Sequence, residues 1–251
     1  MFTGYVSPHK LLTLVQGACG AFQEIEKETN AGGLRLFMFG SHYSFSRQLF
    51  DRAAVEFPMR QRSSLTGVGR TSVDIYRVLE TADSHSTVLM SGVARLVCVD
   101  FARGISVPHP DASKRHLSSA LPPTTRRFPR VEVPESAPVG SFSTTVRVAY
   151  DDMDFNWHTN QASYTAFAME CAAQAAAAAY YRRIRDDIAF YPALSLTCMH
   201  LAESFAGDEL NVSTWEDSAN AMLLHFLVTR QQRRICYIKI EFDERIIASK
   251  L

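Results

Sequence analysis

From residue 166 to residue 179 the chain carries almost no side-chain bulk. Ala166, Ala168, Ala172, Ala173, Ala175, Ala176, Ala177, Ala178 and Ala179 share this stretch with Phe167, Met169 and Cys171. Alanine is the strongest helix former, and no Gly or Pro interrupts Asn160 to Arg185, so one helix is predicted over that span. A helix this slim can lie very close to a sheet that curls round it. Propensity alone would also place alanines here. The residues in front of the helix decide between the two readings.

Those residues are Asp151-Asp152-Met153-Asp154-Phe155-Asn156-Trp157-His158-Thr159-Asn160. They follow Val146-Arg147-Val148-Ala149-Tyr150, which alternates in polarity as a strand does. Asn160 or Thr159 suits the helix N-cap, because its side-chain oxygen can accept from a free amide of the first turn. Carboxylate, amide and imidazole groups therefore gather where a helix points its unpaired N–H groups and positive dipole end. A carbonyl oxygen placed there could be polarised while a carboxylate directs attack on its carbon.

The stretch Tyr150 to Tyr164 resembles the hotdog acyl thioesterases of the 4-hydroxybenzoyl-CoA thioesterase superfamily. Asp154-x-Asn156-x-His158-x-Asn160, followed by Tyr164, is most similar to the plastid type of acyl-ACP thioesterase. That type carries Asp-x-Asn-x-His-x-Asn-Asn before the helix and a glutamate on the next strand. Here Glu203 stands at a similar distance after the helix, and the second Asn is replaced by Gln161. The resemblance implies an α+β fold of tandem (double) hotdog type, each unit a curved antiparallel sheet round one long helix. It implies hydrolysis of acyl thioesters, with Asp154, Asn156, His158 and Glu203 as the catalytic set and no cofactor or metal. Thr159 and Asn160, at the helix N-terminus, would hold the oxyanion with their backbone amides. The substrate would be an acyl-CoA or acyl-ACP. A fused pair does within one chain what single units do by pairing, and a homodimer remains open.

The rest of the chain is consistent with a repeat. Ser7 to Thr29 has apolar residues at helical spacing, with Pro8 in the first turn. Strand-like stretches follow at Leu34–Ser44, Ala53–Arg62, Thr71–Glu80 and Thr87–Phe101. After residue 141 the order begins again, with strands expected near Ala193–Phe205, Glu209–Glu216, Ala221–Arg230 and Arg234–Phe242. Residues 1–108 would form the first unit and 142–251 the catalytic one. Residues 109–141, with six prolines, read as an extended, exposed linker. Its Lys114-Arg115 and Arg126-Arg127 pairs are assigned to solvent. The first unit lacks a leading strand, and Tyr43-Ser44-Phe45-Ser46-Arg47 holds no counterpart of Glu203. It is therefore expected to supply no chemistry.

Net charge is zero and pI is near 7.1, which does not suggest a nucleic-acid partner. No apolar run reaches a membrane span. Five cysteines without a Cys-x-x-Cys pair suggest neither a disulfide frame nor a structural zinc site. Ser249-Lys250-Leu251 matches the peroxisomal address read by an import receptor, with the cytoplasm as the alternative.

Blander readings fit some residues better. Asp151 and Asp152 suit the turn itself. His200 and Cys198 would share one face of a strand without a third partner, so His200 is assigned to packing. Arg182, Arg183, Arg185, Arg233 and Arg234 could meet CoA phosphates but are assigned to solvent. Two other functions compete. An enoyl-CoA hydratase of the same fold has five steps from Asp to His, with Pro after Asn; here there are four, and no Pro. A non-catalytic acyl-binding protein built from decayed units is favoured by Gln161 and the missing strand.

Overall fold

The computed structural model describes residues 34–50, 58–84, 86–100, 102–123, 125–154 and 156–244. The helix expected from Ser7 to Thr29, the first part of the strand expected from Ala53, and Ser249-Lys250-Leu251 lie outside them.

The first set of strands is β1 (Leu34–Phe45), β2 (Met59–Val68), β3 (Ser72–Thr81), β4 (Val88–Asp100) and the short β5 (Ile105–Ser106). A helix, α1 (Asp111–Ser119), follows. The second set opens with β6 (Phe142–Arg147), the long helix α2 (Gln161–Ala177), and then β7 (Ala193–His200), β8 (Glu209–Glu216), β9 (Leu223–Arg230) and β10 (Arg233–Phe242). All join one antiparallel sheet in the order β2-β3-β4-β1-β7-β10-β9-β8-β6, with β5 on β4. The two sets meet where β1 pairs with β7, from Gly40 opposite Met199 to Ser44 opposite Ser195. This is the tandem hotdog arrangement.

Helix α2 fills the main core. Ala168, Cys171, Ala172 and Ala175 are fully buried, among Leu196, Leu210, Val212 and Ile238. Small side chains let the sheet approach the helix backbone, and each buried methyl still leaves water. The helix ends at Ala177, short of the expected Arg185. Tyr181 and Ile184 turn into the core instead, and Tyr181 Oη meets Thr214 Oγ1 at 2.8 Å. Burial of these two side chains stops the helix where no local breaker does.

The linker is mostly exposed, as expected, but it is anchored to the sheet at a few buried residues. Helix α1 docks Leu117 against Leu36, Val73, Ile75, Leu96 and Cys98. Further on, Phe128 is buried with Val93, Met199, Leu227 and Tyr237, on strands of both sets. Arg126 stacks over the Tyr76 ring at 4.2 Å, and Arg127 lies 3.7 Å from Asp74. Arg234 Nη1 donates to the Pro134 carbonyl at 3.1 Å. The segment is a strap laid across the sheet. It covers the first half of β3, with Leu117 on Val73 and Ile75, the Phe128 amide on Asp74 and Arg126 on Tyr76. Asp74, covered by the strap, is held by a two-pronged Arg95 contact at 2.7 and 2.9 Å, which replaces the water that a buried carboxylate loses.

Candidate active site

Strand β6 ends at Arg147, earlier than the sequence predicts, and Tyr150–Asp152 form a short 3-10 turn. Asp152 Oδ2 accepts from the Ala149 amide at 2.9 Å, so Asp152 is a turn residue as expected. A tight loop follows, closed by a bridge between Met153 and Thr159. Asp154 stabilises it from within. Its Oδ1 accepts from the amides of Asn156 at 2.8 Å and His158 at 3.3 Å. Trp157 takes a left-handed backbone at the loop's tip, with φ +63°. Its ring is exposed and edge-on to Tyr150.

Asn160 caps α2, accepting from the Ala162 amide at 2.9 Å. Its own amide donates to the Asp152 carbonyl at 2.7 Å. The Thr159 amide donates to the Ser204 carbonyl at 2.9 Å. Both amides expected to serve an oxyanion are thus already engaged, because the loop needs them to close. Gln161, the first helical residue, lines the adjacent cleft instead.

Glu203 is not on a strand. Strand β7 ends at His200, where the amides of Leu201 and Ala202 both donate to the Ile235 carbonyl, at 2.9 and 3.1 Å. The ensuing loop is fastened to the Asp154 turn through Ser204, a residue that sequence reasoning passed over. Its hydroxyl, fully buried, lies 2.7 Å from Thr159 Oγ1 and 2.8 Å from Tyr164 Oη. Thr159 Oγ1 also donates to the Ser204 carbonyl at 2.9 Å. Burial raises the Tyr164 phenol to about 12, the Ser204 bond opposing the rise, so the hydroxyl keeps its proton.

This clamp brings His158 and Glu203 together. His158 Nε2 lies 3.6 Å from Glu203 Oε2. The imidazole is mostly covered, with Phe37 on one side and Phe205 edge-on at 5.5 Å. Glu203 is half exposed. A cleft of ≈460 Å³ passes these groups. Asp154, His158, Gln161 and Glu203 form its polar side, and Phe37, Phe39, Val97 and Val99 of the first strand set form its apolar side. The first set therefore supplies wall without any acid. Asn156 is not in that wall. Its Oδ1 accepts from Arg35 at 3.4 Å, which ties the turn to β1. Of the four expected catalytic residues, Asp154, His158 and Glu203 line this cleft.

His200 also lines the cleft, and its surroundings differ from expectation. Cys198 Sγ lies 3.4 Å from its Nε2, and Cys236 of β10 is the third partner that the sequence had not supplied. The two sulfurs are 3.4 Å apart. Cys198 is pushed down by the thiol of Cys236 and by His200, against burial, while burial pushes Cys236 up. At the far end of α2, Arg182 and Arg183 pair with Glu216 and Glu244, as solvated arginines do.

No family model matches the sequence, and no curated protein does. Solved structures do match. An acyl-ACP thioesterase from Bacteroides thetaiotaomicron superposes with a TM-score of 0.70 at 16% identity, over 97% of this chain and 92% of that one. The 12:0-ACP thioesterase of Umbellularia californica gives 0.72 at 10% identity, over 97% and 94%. A tesB protein of Mycobacterium avium subs paratuberculosis gives 0.52 at 13%, over 95% and 88%. At these identities the likeness establishes the double hotdog fold along nearly the whole chain.

Proposed function

We propose that the chain hydrolyses acyl thioesters to a free acid and a thiol. The observation that carries this reading is the His158–Glu203 pair, 3.6 Å apart and open to a cleft with one apolar wall. In this reading the acyl chain lies along Phe37, Phe39, Val97 and Val99, and the thioester carbonyl meets the start of α2. Glu203 takes a proton from water as it attacks the carbonyl carbon. His158 orients Glu203 and the water. Asp154 holds the backbone that carries His158. The C–S bond breaks and the thiolate leaves, to be protonated by solvent. The fold neighbours that bear thioesterase names support the same chemistry.

The test is thiol release from saturated acyl-CoA substrates of short, medium and long chain. Glu203→Gln should lower kcat by about 10²–10⁴, the usual contribution of a positioned base. Asp154→Asn keeps an oxygen for the two turn amides while removing the charge, so it separates folding from chemistry. Full activity in both variants would overturn the assignment. A substrate carried on CoA and not on ACP is proposed on the Ser249-Lys250-Leu251 motif. Import into peroxisomes of a reporter ending in that tripeptide tests the address.

The engaged amides of Thr159 and Asn160 favour one second reading, an acyl-binding protein without turnover. Tight binding of a non-hydrolysable acyl-CoA ether, with no thiol released from any thioester, would establish it.

A further inference from the structure

Two thiols and one imidazole meet behind the cleft, on two neighbouring strands. Cys198 and His200 sit two residues apart on β7, so their side chains share a face. Cys236, on β10, pairs directly opposite His200. The three ligating atoms all lie within 4.8 Å of one another. Both cysteines are buried in the main core, and His200, in the cleft wall, is the member that a small solute reaches first.

We propose that Cys198, Cys236 and His200 form a binding site for a thiophilic divalent cation of the Zn²⁺ class. Zinc bond lengths to sulfur and nitrogen imply a tetrahedral S···S edge of about 3.8 Å and an S···N edge of about 3.5 Å. The sulfurs here are 3.4 Å apart, and Cys198 Sγ is 3.4 Å from the imidazole Nε2. A cation therefore needs the sulfurs to part by a few tenths of an ångström. Cys236 Sγ lies 4.0 Å from the other ring nitrogen, Nδ1, so the imidazole must also turn to present one nitrogen to both sulfurs, while the register of the two paired strands holds the three residues on one face. The donor chemistry selects soft ions: the trio contains no carboxylate, as Mg²⁺ or Ca²⁺ would require. Charge balances too. Two thiols give up two protons as a divalent ion binds, and two thiolates with one neutral imidazole leave a neutral buried centre. Three protein ligands leave one tetrahedral position for water or another small donor, as open zinc sites do. The pattern escapes motif reading because Cys236 lies far along the chain from the other two.

The experiment is titration of the reduced full-length chain with Co²⁺, followed by displacement with Zn²⁺. The expected result is thiolate-to-cobalt charge-transfer absorption in the near ultraviolet, with tetrahedral visible bands, saturating at one ion per chain. Zn²⁺ should bleach both. The double variant Cys198→Ser/Cys236→Ser should lose the signal, while Cys171→Ser, a buried cysteine elsewhere in the core, should keep it. His200→Gln should weaken binding by more than the ~10–100-fold that loss of an outer-shell partner costs. Should the double variant not fold, X-ray absorption of the zinc-loaded wild type should count two sulfur scatterers. The site is overturned by no charge-transfer band in protein whose thiols titrate as free after denaturation. A band surviving in the folded double variant, a Cys198–Cys236 disulfide persisting in reductant, or a sulfur-free donor set would also overturn it.

Discussion

At the scale of single residues, the position of Ser204 controls the geometry of the candidate site. Its fully buried hydroxyl contacts those of Thr159 at 2.7 Å and Tyr164 at 2.8 Å, which fixes the chain on either side of His158 and Glu203. Removing that hydroxyl takes a partner from the buried Tyr164 phenol and from Thr159, which keeps only the Ser204 carbonyl. Ser204→Ala is therefore expected to destabilise the fold by about 1–3 kcal/mol, the cost of leaving buried polar groups unpaired. If thioester hydrolysis is the activity, kcat should fall with little change in KM, because the apolar wall from the first strand set is untouched. Urea denaturation and steady-state kinetics on one preparation check both outcomes. Asp154 and His158 were legible in the sequence because their geometry is local, set by one turn before one helix. Ser204 was not, since a serine in a loop carries no signal until the loop folds back on that turn. The same holds for His200, whose third neighbour arrives from another strand.

The elements repeat this contrast between local and distant causes. Helix α2 was visible from composition, yet its C-terminal end was not. Tyr180 donates to the Ala175 carbonyl and Ala179 to that of Ala176, both at 2.9 Å, which is the Schellman pattern of helix termination. Ala179 sits there at φ +55°. That conformation is strained for any side chain and free for glycine. Ala179→Gly should therefore stabilise the protein, by about 0.5–1 kcal/mol after the extra freedom of the unfolded glycine is set against it. A higher denaturation midpoint checks this, and a lower one would refute the strain. The buried alanines behave oppositely. Ala172→Leu forces bulk between helix and sheet and should cost about 1–3 kcal/mol. Ala177→Leu, on the exposed side, should change stability by no more than about 0.5 kcal/mol. Comparison of the two separates close packing from helix propensity as the reason for the alanine run.

Across the whole molecule, the two strand sets act as one body because β1, β7 and the strap connect them. Gly40 marks how close that seam is: a Cβ there would sit 2.8 Å from the Cys198 carbonyl oxygen and 2.9 Å from the Phe128 ring. Three of the histidines along this connected structure resist protonation. His42, opposite Thr197 in the seam, bonds its hydroxyl at 2.9 Å. His109 is buried at the start of the strap segment, with Lys114 nearby. His225 on β9 lies between Tyr237 at 2.7 Å and Asp217 at 3.1 Å, stacked on Trp215. Burial lowers all three below the ordinary value of 6.5; Lys239 adds to this at His42 and His225, while Asp217 opposes it at His225. The sign follows from proton uptake. As pH falls through about 6.5, the unfolded chain binds protons at these positions while the folded chain resists them. Stability from the three groups is therefore complete above that pH and declines below it. Asp217, whose carboxyl is held below 3.8 by the Ala219 amide, begins to contribute to the loss only at still lower pH. The urea midpoint should fall steadily between about pH 7 and about pH 5. Replacing His42 with Gln, which cannot titrate, should flatten that slope, and the double variant with His109→Gln should flatten it further. A midpoint that holds or rises on acidification would mean that these histidines gain protons as readily in the folded sheet as in the free chain.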